Sequence, residues 1–134
     1  MSQVVMAFDF GMGKIGVAVG QFVTQSANPL TILKARDGIP DWDALGRLIK
    51  EWQPVKLVVG LPINMDGTPS EMSRLAEKFS RKLEGRYNLP AETMDERLTS
   101  FAAASFVNKD EPVDAVAAVL ILESWFKQQT NAAD

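Results

Sequence analysis

The hydrophobic and polar positions change period along the chain, and these changes predict an α/β protein. Apolar runs and two-residue alternation, which are typical of strands, dominate the first third and recur later. Between them, apolar residues recur at helical spacing, as in the segment that begins at Asp41 and is stopped by Pro54. The predicted strands span residues 4–11, 14–20, 29–34, 55–60 and 89–97, and the predicted helices span 41–52, 69–83, 99–107 and 112–128.

The order of these elements predicts a mixed sheet flanked by helices. Short links join the first three strands, which favours antiparallel pairs, beginning with a hairpin at Gly11-Met12-Gly13. Helices separate the later strands, which implies parallel pairs with right-handed crossovers. With 134 residues, the chain is expected to form a single domain over 1–134, of which 130–134 is a loose tail.

Two local patterns refine this prediction. The second helix is expected to begin with Thr68 as N-cap, Pro69 as its first residue and Glu71 as the glutamate of a capping box. The second strand has a nearly bare face, suited to close approach by a helix or a ligand, made of Gly16, Ala18 and Gly20.

Composition narrows the possible chemistry. The chain has no histidine and no cysteine, which excludes disulfides, thiol nucleophiles, typical zinc sites and a Ser-His-Asp triad. A metal would have oxygen ligands, which favours Mg²⁺ or Mn²⁺, and hydrolysis would use a metal-activated water. No apolar stretch reaches membrane-spanning length and no signal peptide precedes the first strand, so the cytoplasm is the expected location.

The net charge of the chain does not indicate a nucleic-acid partner. The formal net charge is −3, so such a partner would need a local basic patch. The loop from Gly60 to Thr68 enters a capped helix, where anions bind readily, but the signal is weak by itself, because a plain connecting loop with an Asp-Gly turn also explains it. One basic arc of the second helix fits a solvated face better than a phosphate-contacting face: Arg74, Lys78, Arg81 and Lys82.

Three carboxylates lie in or next to apolar segments of the sequence, where burial of a charge is unfavourable. Asp9 lies in the apolar first strand, where burial is unfavourable by several kcal/mol unless the group is paired, hydrogen-bonded or metal-bound. Glu96 ends the last strand, and Asp114 starts the last helix on its apolar side. Each also has an ordinary explanation: Asp9 can cap the glycine turn, Glu96 can pair with Arg97, and Asp114 can interact with the helix dipole. The hypothesis is that the fold brings the three together.

The segment from Gly11 to Gly16 matches the G-x-G-x-x-G dinucleotide fingerprint, but its context does not. A strand rather than a helix follows it, and the region that should hold an acidic residue holds Lys34 and Arg36. Asp9-Phe10-Gly11 followed by Lys14 also suits the phosphate-binding hairpin of sugar kinases, actin and related ATPases. Those proteins close two such domains around a nucleotide, so this remains a minor alternative, which predicts stabilisation by ATP with Mg²⁺.

Four ordered motifs together resemble one known family. They are Asp-x-Gly-x-x-basic-Ile-Gly-Val-Ala at Asp9 to Ala18, Gly60-Leu61-Pro62 with Asp66-Gly67-Thr68, Asp95-Glu96-Arg97-Leu98-Thr99-Ser100, and Asp114 followed by Ala117-Ala118. The chain resembles the YqgF family, also called RuvX or Holliday-junction-resolvase-like proteins, nucleases assigned to maturation of the 5′ end of pre-16S rRNA. The resemblance implies an RNase H-like fold, with a five-stranded mixed sheet flanked by helices.

The resemblance also implies site residues. Asp9, Glu96 and Asp114 would be catalytic and would bind Mg²⁺ or Mn²⁺. Asp95 is the alternative to Glu96, because neighbours on a strand face opposite sides. Lys14 stands where the family usually has arginine, so a bidentate phosphate clamp becomes a point charge. The candidate phosphate contacts are Lys14, Asn64, Thr68 and Arg97.

The predicted function is metal-dependent endonucleolytic hydrolysis of phosphodiester bonds at the 5′ end of pre-16S rRNA. Structured RNA is the expected partner, together with ribosomal particles. Two alternatives stay open: a resolvase acting on branched DNA, and a non-catalytic RNA- or ribosome-binding module on the same fold.

Overall fold

The computed structural model describes residues 3–62, 64, 66–95 and 113–132, and the side chains of the last helix from Ala115 to Gln129. These residues form strands β1 (Val4–Asp9), β2 (Lys14–Gln21), β3 (Ser26–Arg36), β4 (Ile39–Pro40), β5 (Lys56–Leu61) and β6 (Ala91–Asp95). The helices are α1 (Trp42–Trp52), α2 (Glu71–Tyr87) and α3 (Val113–Ala132). The helix predicted at 99–107 lies outside the described residues.

The strands form one mixed sheet in the order β4-β3-β2-β1-β5-β6. Strands β1 to β4 pair antiparallel in sequence order, whereas β5 pairs parallel with both β1 and β6. This confirms the predicted α/β mixed sheet. The predicted count of five strands is wrong, because β4 adds a sixth of only two residues after a turn with positive φ at Asp37 and Gly38. A strand that short has no detectable period.

Strand β3 is longer than the predicted 29–34 because a bulge accommodates Pro29 within it. Val17 of β2 pairs with Thr31 and Ala18 pairs with Pro29, so Leu30 is the extra residue. Proline lacks the N–H of a regular ladder and is tolerated at such irregularities.

Side-chain alternation gives the sheet two buried faces. One, called the α1/α2 face, carries Met6 and Phe8 of β1 against α1 and α2. The other, called the α3 face, carries Val5 and Ala7 against α3. The predicted bare face lies here: Ala18 packs beneath α3, and a Cβ on Gly20 would lie 3.0 Å from Leu122 and from Phe126. The small residues of β2 therefore let α3 approach the sheet closely.

Two predicted helix ends are corrected. Helix α2 begins at Glu71 with Ser70 as N-cap, and Ser73 completes the capping box, so Thr68 is not the cap. The hydroxyl of Ser70 donates to the carbonyl of Pro62 (2.6 Å), which ties the cap to the end of β5. Helix α3 continues to Ala132, so residues 130–132, predicted as the start of a tail, are helical. None of the helices that the structure describes has a stretch apolar enough to span a bilayer.

Candidate functional site

Asp9 is the last residue of β1 and is half-buried, after five consecutive buried residues. It pairs with Gly16 of β2. Along β1 it alternates with Val5 and Ala7, which pack beneath α3. Asp9 therefore lies on the α3 face, at the end of the sheet where β1, β5 and β6 terminate, which we call the carboxyl end.

The parallel strands bring further residues to the carboxyl end. Their pairing places Asp9 level with Met94 of β6, which packs on the α3 face. Asp95 is the next residue on β6 and so belongs to the opposite, α1/α2 face. Asp95 and Asp9 therefore do not share a face. Glu96 and Arg97, both predicted site residues, lie outside the described residues.

Helix α3 runs from the carboxyl end of the sheet to its opposite end. Near the far end of α3, the indole Nε1 of Trp125 donates a hydrogen bond to Glu92, close to the start of β6. The ammonium of Lys56, the first residue of β5, lies 5.6 Å from the Trp125 ring. Glu92 and Lys56 also form a salt bridge (3.2 Å). This cluster fixes the direction of α3, so its first turn lies at the carboxyl end.

The start of α3 is level with Asp9. Leu122 lies over Gly20, and Asp114 precedes Leu122 by eight residues, about 12 Å along a helix. Gly16, the partner of Asp9, precedes Gly20 by four residues, about 13 Å along a strand. The backbone thus carries Asp114 to the same end and face as Asp9, while the side chain of Asp114 lies outside the described residues.

A pair of lysines lies beside Asp9 on the same face. Lys14, a predicted phosphate contact, is the exposed first residue of β2 and pairs directly with Lys34 of β3. Lys14 alternates with Gly16 and Ala18, so both lysines belong to the α3 face. Like charges directly opposite each other are destabilising, so an anionic group nearby stabilises such a pair. Sequence reasoning does not single out Lys34 as a site residue, because its position depends on strand register.

The loop after β5 also reaches the carboxyl end, and its polar groups bind one another. The side-chain amide of Asn64 donates to the hydroxyl of Thr68 (3.0 Å). That hydroxyl donates to the carboxylate of Asp66 (2.6 Å), which also accepts from the backbone N–H of Thr68 (3.0 Å). Asn64 and Thr68 are both exposed. The Thr68 proton is therefore used inside the loop, whereas none of the residues that the structure describes binds the side-chain oxygen or the second amide hydrogen of Asn64.

No group of three acidic side chains that could hold a metal is found among the described residues. Asp9 is among these described residues, whereas Glu96 and the side chain of Asp114 are not. The described donors are oxygens, since the chain has no histidine or cysteine, and oxygen donors fit a hard divalent cation.

Comparison with known proteins identifies close relatives over almost the full length. The RuvX family profile, described as Holliday junction resolvase, matches residues 3–128. A protein of Pseudomonas paraeruginosa named "Putative pre-16S rRNA nuclease" is 53% identical, covering 96% of this chain and 95% of its own. A protein of the same name from Glaesserella parasuis is 52% identical, covering 97% and 100%.

Solved structures with the same fold are more distant in sequence. Thermus thermophilus RuvC in complex with a Holliday junction substrate matches with a TM-score of 0.60 at 14% identity, covering 96% of each chain. The fowlpox virus Holliday junction resolvase matches with a TM-score of 0.58 at 13% identity, covering 94% of this chain and 99% of the other. These matches show a RuvC-like fold, which belongs to the RNase H-like class. The family profile and the identities above 50% show more than the fold: the chain belongs to the RuvX family.

Proposed function

We propose that this protein is a nuclease that hydrolyses phosphodiester bonds in structured RNA, with the 5′ end of pre-16S rRNA as its substrate. The names of its relatives and their coverage of the whole chain support this proposal. The structural observation that carries it is the position of Asp9, half-buried at the carboxyl end of β1 and level with the first turn of α3.

The proposed catalytic residues are Asp9, Glu96 and Asp114, which would hold Mg²⁺ or Mn²⁺. Asp9 and the backbone of Asp114 share an end and a face of the sheet. The strand alternation argues against Asp95 as the third ligand and therefore favours Glu96. The bound ion would supply Lewis-acid stabilisation of the charge that develops on the phosphoryl and leaving oxygens.

The remaining site residues would hold the substrate backbone. Lys14 and its cross-strand neighbour Lys34 place two positive charges beside Asp9, where they would neutralise a phosphate that approaches the carboxylates. Asn64 offers its side-chain oxygen and its second N–H as phosphate or ribose contacts, and Arg97 is a further proposed contact. Thr68 is better suited to ordering the loop, because its hydroxyl already binds Asp66.

The test is metal-dependent cleavage by matched variants. The assay incubates wild type, Asp9→Asn and Glu123→Gln with Mn²⁺ and a structured RNA. Glu123→Gln is the control, because Glu123 is an exposed acid of α3. Asp9→Asn should lower the cleavage rate at least about 100-fold. Loss of a group that only orients a metal ligand lowers activity by up to about 100-fold, so loss of a ligand itself should have at least that effect. Glu123→Gln should cleave like wild type. Equal rates for wild type and Asp9→Asn would refute the nuclease assignment.

The same assay separates the two acids at the end of β6. Glu96→Gln should lose activity as Asp9→Asn does, whereas Asp95→Asn should retain it once its folding has been checked by thermal melting. The reverse order would place Asp95 in the site and contradict the strand alternation.

Branched DNA is the second candidate substrate, because the family profile is described as a Holliday junction resolvase. A four-way DNA junction, run beside the RNA with the same variants, decides between them. If neither substrate is cleaved but RNA binding survives Asp9→Asn without a divalent ion, the protein is a binding module. A metal titration of the melting temperature adds an independent measure, since a formed site gains about 2.7 kcal/mol at one hundred times its Kd.

A further inference from the structure

A basic groove lies along α2, between this helix and α1 together with the turn that precedes β4, on the α1/α2 face. It consists of two adjoining depressions, and Trp42 lines both. Lys78 and Lys82 of α2 line the first depression. Arg47 and Lys50 of α1 line the second, together with Arg86 at the end of α2. The second depression has a volume of about 480 Å³, which lies within the range of known ligand sites.

The groove concentrates positive charge on an acidic protein. Its lining has five cations and two carboxylates, Asp37 and Asp43, in a chain with a formal net charge of −3. None of the five cations forms a salt bridge with another residue that the structure describes. The local field therefore favours an anion, although the net charge of the protein does not.

One of the cations lies over an aromatic ring. The guanidinium of Arg86 lies 4.3 Å from the centre of the Trp42 ring. Trp42 in turn stacks on Phe79, with ring centres 5.9 Å apart and an angle of 25° between the planes. The hydroxyl of Tyr87 donates to the backbone carbonyl of Trp42 (3.0 Å) and anchors the same turn. A guanidinium is planar and can form two parallel hydrogen bonds to a phosphate, which the single point charge of a lysine cannot.

The groove leads towards the proposed catalytic end. Its first depression is also lined by Phe10 and Gly38, and Phe10 directly follows Asp9. Phe10 packs on the α1/α2 face, whereas Asp9 lies on the α3 face. A nucleic-acid strand that occupies both the groove and the site at Asp9 must bend sharply round the end of the sheet. A duplex resists such a bend, as the persistence length of about 150 base pairs for DNA illustrates, whereas a single strand follows it.

We propose that this groove binds the backbone of a single-stranded RNA segment and guides it to the carboxyl end of the sheet. The proposal rests on the proposed function only for the identity of the nucleic acid. The contacts are to phosphates, so the binding is independent of base sequence.

The test measures binding without cleavage. A fluorescein-labelled single-stranded RNA of about 12 nucleotides, a length within the range of about 4–16 nucleotides that single-strand-binding folds occupy, is titrated in EDTA at several salt concentrations. The groove variant is Arg47→Gln/Lys50→Gln, and the matched control is Arg81→Gln/Lys127→Gln, which removes the same charge from surfaces outside the groove. All four positions are exposed, and thermal melting checks that both variants fold.

The groove variant should bind the single strand more weakly, and its binding should depend less on salt. The negative slope of log K against log salt should become shallower by about 1.4, or about 0.7 for each lost phosphate contact. The control should keep the wild-type slope. Arg86→Lys should also weaken binding at unchanged net charge, because lysine loses the planar donor. Equal weakening by the groove and control variants would overturn the proposal, and so would equal loss for an RNA duplex of the same length. Asp9→Asn should leave this binding intact, so a failure of the nuclease assignment stays distinguishable from a failure of the groove.

Discussion

Replacing Gly20 by alanine should destabilise the protein by about 2–3 kcal/mol, because α3 and β3 leave no room for a Cβ. The added carbon would collide with the carbonyl oxygen of Ser26 and would lie 3.0 Å from the side chains of Leu122 and Phe126. The backbone of Gly20 does not have a positive φ, so the available space decides the outcome rather than the dihedral angle.

The size of this effect follows from what can move. Leu122 and Phe126 can each give way by a few tenths of an ångström, but the Ser26 carbonyl belongs to the β2–β3 ladder and can shift only with its strand. Overpacking of this kind costs about 1–3 kcal/mol, and a backbone collision belongs at the upper end. The general advantage of alanine over glycine within a strand offsets only about 0.5–1 kcal/mol.

Gly85→Ala is the matched control. Gly85 lies in α2, and a Cβ there would meet nothing within 4 Å, so the same substitution should stabilise by about 0.5–1 kcal/mol. The assay is urea denaturation followed by tryptophan fluorescence, since Trp125 lies next to Phe126 in α3. With a slope of about 1–3 kcal/mol per molar, Gly20→Ala should lower the midpoint by roughly 0.7–3 M. Gly85→Ala should raise the midpoint slightly. A midpoint for Gly20→Ala at or above that of wild type would refute the close contact between α3 and β2.

Three further predictions concern stability. Burial raises the pKa of Tyr87 above its ordinary 10.0, against a smaller lowering by Arg86, so the ionised form is disfavoured in the folded state. The free energy of unfolding should therefore fall as the pH rises above about 10, and urea titrations from pH 8 to 11 should show this fall. The fall should be smaller for Tyr87→Phe, which cannot ionise at this position. This variant should already be less stable by about 1 kcal/mol at neutral pH, because it lacks the hydrogen bond of the hydroxyl. Ser70→Ala should lower the free energy of unfolding by about 1–2 kcal/mol, because it removes the N-cap of α2, whereas Thr68→Ala should lower it by only about 0.5 kcal/mol. If the urea midpoint fell further for Thr68→Ala than for Ser70→Ala, Thr68 would be the cap. Gln53→Gly should raise the melting temperature through a gain of about 0.5–1 kcal/mol, because Gln53 caps α1 in the left-handed conformation (φ 46°), and an unchanged or lower value would count against that geometry.

The period of the apolar positions is enough to predict most of the elements, since burial acts on one side of each. Helix α1 matches the predicted 41–52 apart from Asp41, which is its N-cap. The bare face of β2 correctly indicates the close approach of α3. These features depend on residues near one another in sequence, and such residues express their environment in a repeating pattern.

Helix starts were less predictable because several residues satisfy the same local rules. Thr68 and Ser70 both precede Glu71, and Pro69 at the first helical position favours Thr68. The outcome depends on contacts outside the helix: Thr68 binds Asp66 within the loop, whereas Ser70 reaches the carbonyl of Pro62. A choice of this kind requires knowledge of the loop that precedes the helix.

The basic groove shows a second limit. Helical periodicity places Arg81 and Lys82 on one exposed arc, but in the structure Lys82 lines the groove beside α1 and Arg81 lines a surface beside β6. Arg47 and Lys50 on α1 lie far from α2 in sequence, and only the packing of α1 against α2 through Trp42 and Phe79 brings the two sets together. Periodicity identifies an exposed face and leaves its neighbours undetermined.

The candidate catalytic site depends on long-range register more than any other part of the chain. The motifs name Asp9 and offer both Asp95 and Glu96 as its partner, because neighbouring strand residues face opposite sides. The pairing of Leu61 with Asp95 assigns Asp95 to the α1/α2 face, since Leu61 packs there. A slip of one residue between β5 and β6 would reverse that assignment and would also turn Met94 away from α3. The burial of Met94 beneath α3 therefore opposes the slip, so the hydrophobic packing of a residue with no chemical role keeps Asp95 off the face of the sheet that carries Asp9.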